Sequence, residues 1–125
     1  MSGQFIRITP FMHVDDVGRA VAFFERLGFK QYVRHTDYAY VQRECAGVRI
    51  MQNKNDDGAP PGNRRFCYYV DVEDIEALYQ ELKPVLDAMP PRDVHGPADK
   101  PYGQRELCIL APDGNLLVFG QAIEG

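Results

Sequence analysis

The chain has 125 residues, of which 45% are hydrophobic and 26% are charged, as in a soluble globular protein with one substantial core. Its formal net charge is −4 and its Lys and Arg residues are scattered, which argues against a nucleic-acid-binding surface. No apolar run reaches the roughly 20 residues of a membrane-spanning helix, and residues 1–7 lack the pattern of a secretory signal. Because the three cysteines form no close pair, we expect reduced thiols and a cytoplasmic protein without nucleic-acid or membrane partners.

The chain begins with a predicted strand that is followed by a capped helix. Phe5–Val14 alternates as a β-strand does, and Pro10 places that strand at a sheet edge because proline has no N–H to donate. Asp15 or Asp16 can cap the next helix, and Gly28 ends it. The apolar residues of this helix recur on one face, and they are Val17, Ala20, Val21, Phe24 and Leu27.

Three more strands are predicted before a turn-rich segment. They lie at about Lys30–His35, Tyr38–Arg43 and Val48–Gln52. Residues 54–64 are rich in Asn, Asp, Gly and Pro, which is typical of a linker. The first half of the chain is therefore predicted to be a βαβββ module of about residues 5–53.

The second half repeats this order. The phrase Val72-Glu73-Asp74-Ile75 resembles Val14-Asp15-Asp16-Val17, which lies 58 residues earlier, and each phrase precedes an apolar helical stretch. The predicted elements are a strand at 65–72, a helix capped by Asp74 and ending near Pro84, a short strand within the proline-rich loop 89–103, and strands at 105–110 and 116–121. We therefore predict one domain over residues 1–125, with a second module of about residues 65–122.

Several short motifs, taken together, resemble those of one known superfamily. They are Asp16-Val17 followed by Ala22-Phe23-Phe24 and Leu27-Gly28-Phe29, and Arg105-Glu106-Leu107 followed by Pro112-Asp113-Gly114-Asn115-Leu116. The combination resembles the vicinal oxygen chelate superfamily, which includes glyoxalase I, extradiol dioxygenases, fosfomycin-resistance enzymes and bleomycin-resistance proteins. The resemblance implies an α+β fold of two tandem βαβββ modules, whose curved mixed sheets surround a cleft. It also implies a homodimer with clefts built from both modules.

The resemblance further implies four metal-ligand positions, one on the first and one on the last strand of each module. Metal-dependent members usually carry His, Gln or Glu there, whereas this chain carries Thr9, Met51, Cys67 and Val118. A divalent ion needs several oxygen or imidazole donors that converge on one point. We therefore predict no metal, no other cofactor and no catalytic residue, and we place the chain nearest the metal-free branch that resembles bleomycin-resistance proteins.

The first functional hypothesis is a small-molecule binding protein that sequesters an aromatic or amphipathic ligand in the cleft. The residues predicted to bind it are Phe11, Tyr38, Tyr40, Arg49, Met51, Arg65, Cys67, Tyr69, Tyr102 and Val118. Asp71 is predicted to orient polar groups beside Arg49 and Arg65. Since arginines disfavour a strongly cationic drug such as bleomycin, the identity of the ligand stays open.

The alternative hypothesis is a metal-dependent enzyme of the glyoxalase or dioxygenase kind with non-standard ligands. Its candidate ligands are His13, His35, Asp71 and Glu106. Of these, His13 is expected near the cleft, whereas His35, like His95, is expected at the surface.

Three further features have a structural and a functional interpretation. Cys67 is either a nucleophile or an inert buried thiol, and the inert thiol is favoured because no base is placed beside it. Arg105 and Glu106 are predicted to form a structural ion pair rather than to place a charge at the mouth of the cleft. The turn Asp113-Gly114-Asn115 is explained by local hydrogen bonding and a positive φ, and we assign it no catalytic role.

Overall fold

The computed structural model describes residues 3–53 and 67–123, and it contains two modules of the same order. The first consists of β1 (Phe11–Val14), α1 (Val17–Arg26), β2 (Lys30–Arg34), β3 (Tyr38–Arg43) and β4 (Ala46–Gln52). The second consists of β5 (Cys67–Asp71), α2 (Ile75–Asp87), β6 (Val94–Asp99), β7 (Gln104–Leu110) and β8 (Leu116–Ala122). The predicted α+β class with tandem βαβββ modules is confirmed. The predicted linker 54–64 lies outside the described residues, and the domain boundaries stay a prediction.

The two sheets have the same strand order. The first is ordered β1-β4-β3-β2 and the second β5-β8-β7-β6. In each sheet the first strand of the module pairs in parallel with the last, and the other neighbours are antiparallel. In each module the last strand therefore lies between the first and third strands. The same arrangement in both halves is expected of a duplicated unit.

Both helices begin at the aspartates that the repeated phrase predicts. The Asp16 carboxylate accepts a hydrogen bond from the Arg19 amide at 3.0 Å, and the Asp74 carboxylate accepts one from the Ala77 amide at 3.0 Å. Helix α1 buries Val17, Ala20, Val21, Phe23 and Phe24 against its sheet. The sequence leaves Asp15 and Asp16 as equal candidates for the cap of α1, and the structure selects Asp16.

Helix α2 continues past the proline at which it was predicted to end. Pro84 lies inside the helix, which runs to Asp87. Proline removes one hydrogen bond and crowds the preceding turn, but residues after it can still be helical if packing compensates. Leu82 and Leu86 are both buried in the core, so burial of the last turn supplies that compensation.

Strand β1 is shorter than predicted. It begins at Phe11 rather than Phe5, and Ile6 and Ile8 in the segment before it are 85% and 96% exposed. The Pro10 carbonyl still accepts a hydrogen bond from the Arg49 amide at 2.9 Å, but proline cannot donate one in return. The ladder between β1 and β4 therefore starts after Pro10.

The connection between β7 and β8 joins the two modules. Asn115 is 1% exposed, and its amide nitrogen donates to the His13 and Pro112 carbonyls, each at 2.9 Å. The Asp113 carboxylate accepts hydrogen bonds from the Asp15 amide at 2.9 Å and from Arg19 at 3.0 Å. Tyr68 adds a hydrogen bond from its hydroxyl to the Phe11 carbonyl at 2.8 Å. The turn that sequence explained by local hydrogen bonding thus also fixes β1 and α1 to the second module.

Among the residues described, neither helix has the length and apolar character needed to cross a membrane.

Candidate functional site

Each sheet has one face covered by its helix and one face that we call the open face. On β4 the side chains alternate, so that Val48 and Ile50 are buried on the helix side while Arg49 and Met51 are exposed on the other. The pairing of strands then fixes which residues share the open face. In the first sheet, Phe11 and Tyr40 flank Arg49, and His13 and Tyr38 flank Met51.

The open face of the first sheet is an aromatic cluster around one cation. Arg49 donates to the Tyr38 hydroxyl at 2.6 Å, and its guanidinium carbon lies 6.0 Å from the centre of the Phe11 ring and 5.6 Å from that of Tyr40. These distances are within cation–π range, although Arg49 itself remains exposed. Phe11 and Tyr38 also contact each other, with ring centres 6.4 Å apart. The structure therefore brings together four residues that sequence selected.

The open face of the second sheet is organised around a buried carboxylate. Glu106 is 5% exposed, and its two oxygens accept hydrogen bonds from the Tyr69 hydroxyl at 2.9 Å and the Tyr102 hydroxyl at 2.8 Å. The predicted Arg105–Glu106 ion pair is wrong, because consecutive strand residues face opposite sides of the sheet. Arg105 instead contacts Asp99 at 2.6 Å and Glu76 at 3.3 Å.

Gln104 extends this network at the edge of the open face. The Tyr69 hydroxyl lies 3.0 Å from Gln104 Oε1, but its one proton is directed to Glu106. If the Gln104 amide is rotated by 180°, its nitrogen takes the place of Oε1 and donates a hydrogen bond to the Tyr69 hydroxyl. Tyr69 then acts as both donor and acceptor, and each Glu106 oxygen accepts one hydrogen bond, before any ligand binds.

Glycines provide the space for two of the open-face tyrosines. A Cβ atom on Gly120 would collide with the hydroxyl and ring of Tyr69, and one on Gly47 would collide with those of Tyr40. Each ring therefore lies across the bare backbone of the neighbouring strand. These glycines are needed for the placement of the rings, which the sequence reading did not anticipate.

The cysteines of the second sheet are poor nucleophiles. Burial, and then the negative charge of Glu106, raise the pKa of the Cys67 thiol, and the same two causes raise the pKa of Cys108. A raised pKa disfavours the thiolate that nucleophilic chemistry requires. Cys67 is nevertheless exposed, so the expectation of a buried thiol is wrong in that respect.

The remaining predicted site residues lie in different surroundings. Val118 is buried between Tyr69 and Cys108 in the strand register, and it forms the floor of the open face rather than its surface. Tyr102 is 66% exposed at the β6–β7 turn, and Met51 is partly exposed beside Tyr38. Arg65 lies outside the described residues. Within residues 3–53 and 67–123, each hydrogen bond or ring contact of an open-face side chain stays within its own sheet. We therefore treat each open face as one half of the candidate site.

The metal-ligand positions implied by the family do not fit a divalent ion. Thr9 precedes β1, and Val118 is buried. Neither the Val nor the Met side chain offers an oxygen or imidazole donor. Over residues 3–53 and 67–123, no three His, Cys, Asp or Glu side chains are grouped so that they could hold a metal ion.

The histidines of the alternative hypothesis are not equivalent. Nδ1 of His13 is buried and has no hydrogen-bond partner among the described residues, whereas the side chains of His35 and His95 are exposed. Glu106, another candidate ligand of that hypothesis, is already bonded to two tyrosines. Strand alternation places Glu106 on the same face of β7 as Cys108, and this signal was available in the sequence.

The phenol of Tyr69 gives a testable pH dependence. Burial, and then the hydrogen bond to Glu106 and its charge, raise the pKa of Tyr69 above its usual value. The unfolded chain therefore loses this proton first, near pH 10, and stability falls as the pH rises further. We expect the free energy of unfolding to decrease less steeply above about pH 10 in Tyr69→Phe than in the wild type. Tyr32→Phe, which removes an exposed phenol, is the control; identical slopes in all three proteins would contradict the assignment.

This chain belongs to the glyoxalase/bleomycin resistance protein/dioxygenase superfamily, whose sequence model matches residues 7–119. Bleomycin resistance proteins of Geobacillus stearothermophilus and of Staphylococcus aureus are each 28% identical to it over 131 aligned positions, which cover 92% of this chain and 96% of theirs.

Solved structures share the fold. A bleomycin-binding protein complexed with bleomycin superposes with a TM-score of 0.77 and 23% identity, covering 94% of this chain and 98% of that one. The bleomycin-binding protein of Streptomyces verticillus, complexed with copper(II)-bleomycin, gives a TM-score of 0.77 and 24% identity, covering 98% and 100%. A glyoxalase-related enzyme from Clostridium phytofermentans gives a TM-score of 0.74 and 20% identity, covering 98% and 100%. The fold is thus common to binding proteins and to a protein described as an enzyme, and the fold alone does not select between them.

Proposed function

We propose that this protein binds an aromatic or amphipathic small molecule, without a metal ion, between an aromatic open face and a tyrosine–glutamate open face. The observation that carries the proposal is the Arg49 guanidinium held against Phe11, Tyr38 and Tyr40. Such a surface can stack on a planar group while the guanidinium binds an acceptor on it. The bleomycin-resistance relatives support a role in sequestration, in which no bond is made or broken.

The two open faces suit different parts of one ligand. The first face presents a cation that can bind a carboxylate, carbonyl or ring nitrogen. The second presents Glu106, whose carboxylate has lone pairs beyond the two that the tyrosines occupy. A planar molecule with an acceptor at one end and a donor at the other would match this pair of faces.

We propose that a homodimer completes the cleft. Among the described residues of one chain, the side chains of the two open faces share no hydrogen bond or ring contact, and Phe11, Met51 and Tyr69 are each more than a third exposed. Half-exposed aromatic side chains of this kind mark a ligand or partner surface. In a twofold dimer the aromatic open face of one chain would lie opposite the tyrosine–glutamate open face of its partner. We propose the same cytoplasmic setting that the unpaired cysteines indicate, because free thiols persist in reducing compartments.

The experiment that tests this proposal is calorimetric titration with metal-free bleomycin and with a set of planar aromatic acids and amides. At least one compound is expected to bind with unchanged affinity in EDTA. Tyr69→Ala and Arg49→Gln should each weaken that binding by about 1–3 kcal/mol. Sedimentation should show a dimer.

Arg26→Gln is the matched control, because Arg26 is an exposed arginine on α1, away from both open faces. It should bind like the wild type. No binding of any compound, or equal affinities for the wild type, Arg49→Gln and Tyr69→Ala, would overturn the proposal.

A further inference from the structure

A groove of about 570 Å³ lies between the end of α1 and the start of α2. Its walls are the end of α1 and the β3–β4 turn on one side, and the end of β5 and the first turns of α2 on the other. Apart from Asp71, no residue of the two open faces lines it. Its volume is within the range of small-molecule sites, which is roughly 300–1,000 Å³.

The groove exists because the two copies of the module differ in the length of one turn. In the second module, the five-residue connection Ala111–Asn115 reaches the N-terminus of α1, where Asp113 contacts the Asp15 amide and Arg19. The duplication places the β3–β4 turn in the same relation to α2. That turn has only two residues, Glu44 and Cys45, so it leaves open the space that its counterpart fills.

The groove beside α2 differs in its chemistry from the position beside α1 that Asp113 occupies. In the repeat, Ala77 occupies the place of Arg19, so the cation that binds Asp113 in one module has no counterpart in the other. Two side chains beside the groove, Asp71 and Glu73, have no cationic partner within the described residues. The groove would therefore repel an anion, whereas the corresponding position beside α1 binds the Asp113 carboxylate.

Apolar side chains line the groove, and exposed acidic side chains form its rim. The apolar residues are Leu27, Phe29, Ala46, Val70, Val72, Ala77, Leu78 and Phe119. The acidic residues are Glu44, Asp71, Glu73, Asp74 and Glu81. Among the described residues that line the groove, one guanidinium accompanies these five carboxylates, that of Arg43, which donates to both oxygens of Glu81 at 2.7 and 2.9 Å and to the Leu27 carbonyl at 2.9 Å. Arg43 is thus already paired, and the rim remains strongly negative.

We propose that this groove is a second binding site, and that it takes a hydrophobic organic cation whose apolar body lies against Phe29 and Phe119 and whose ammonium group lies between Asp71 and Glu73. An apolar interior favours burial of the hydrocarbon part. The uncompensated carboxylates favour the positive charge, and they disfavour an anion of the same shape. The site uses neither Arg49 nor Glu106, and Asp71 is the one described residue that it shares with the open faces.

Benzyltrimethylammonium is a suitable probe, and benzenesulfonate is the anion of similar size. Titrations of the full chain are followed by the methyl signals of Ala46 and Ala77, which line the groove, and of Met51, which lies on the aromatic open face. We expect saturable shifts at Ala46 and Ala77, with a dissociation constant on the order of a millimolar for so small a compound. Benzenesulfonate should leave these two signals unchanged.

Two pairs of variants make the assignment specific. The double variant Asp71→Asn/Glu73→Gln should weaken binding of the probe by about three- to tenfold, whereas Glu25→Gln, on α1 outside the groove, should not. Ala77→Phe should block the groove, whereas Gln80→Phe adds the same ring to α2 outside the lining and should bind normally. Shifts confined to Met51, equal binding of benzenesulfonate, or unchanged affinity in the double variant would each overturn the proposal.

Discussion

The Asn115→Asp variant is expected to lose about 3 kcal/mol or more of its free energy of unfolding. The side chain of Asn115 is almost fully buried, and its amide nitrogen donates to the His13 and Pro112 carbonyls. Aspartate has nearly the same shape but offers only acceptors, so two hydrogen bonds would be replaced by oxygen atoms facing oxygen atoms. The effect should exceed that of a lost surface contact, because the new charge would also be buried without a cation beside it.

Chemical denaturation followed by circular dichroism measures this loss. The matched control is Asn53→Asp, which makes the same change of charge at an exposed residue and should alter stability by no more than about 0.5 kcal/mol. Amide exchange at His13 and Val14 should accelerate in Asn115→Asp, because one of the contacts that hold β1 to the second module is lost. A stability equal to that of Asn53→Asp would show that this turn does not join the modules.

The Gly120→Ala variant is expected to expel the Tyr69 ring from its place on the sheet and to cost about 1–3 kcal/mol. The added methyl group would occupy the space of the Tyr69 hydroxyl and ring. When the ring moves, Glu106 loses one of its two phenol donors while its carboxylate remains buried. The cost thus has a steric part and a part from the weakened solvation of Glu106.

A double-mutant cycle separates the collision from any effect on the backbone. If the collision with Tyr69 is the cause, Gly120→Ala should cost little in a Tyr69→Ala background, and the coupling energy should be about 1 kcal/mol or more. Gly3→Ala is the control, since no atom lies within 4 Å of the methyl group that it adds. Additive effects of Gly120→Ala and Tyr69→Ala would contradict the steric explanation.

Local sequence patterns predicted most of the fold because they depend on residues close together in the chain. A few neighbouring residues in each case predicted the cap at Asp74, a cap of α1 at Asp15 or Asp16, and the strand Tyr38–Arg43. Two errors arose where a distant partner decides the outcome. The end of α2 depends on burial of Leu86 in the core, and the start of β1 depends on which residues can exchange hydrogen bonds with β4. Neither fact can be predicted from the spacing of apolar residues in the sequence alone.

The sequence predicted which side chains belong to the candidate site, but not the contacts between them. Strand alternation placed Arg49 and Tyr69 on open faces, and the strand register then explains why Arg49 lies between Phe11 and Tyr40. The partners of Glu106 were not predictable, because Tyr102 comes from a turn whose path is set by the β6–β7 pairing. The groove was missed because it depends on a difference in turn length between the two modules, which becomes meaningful only when their helices are placed.

The parallel pairing of β1 with β4 bears on how the chain is completed during synthesis. β1 leaves the ribosome before the other described strands, and the strand that it pairs with among them, β4, begins 35 residues later. The His13 carbonyl can accept its hydrogen bond from Asn115 only after another 102 residues have been made. Contacts of such long range form late because the intervening chain must first be ordered. β1 is therefore among the last of the described strands to be fixed in place, and a chain that stops before the β7–β8 connection would lack the Asp113 and Asn115 hydrogen bonds that join the first module to the second.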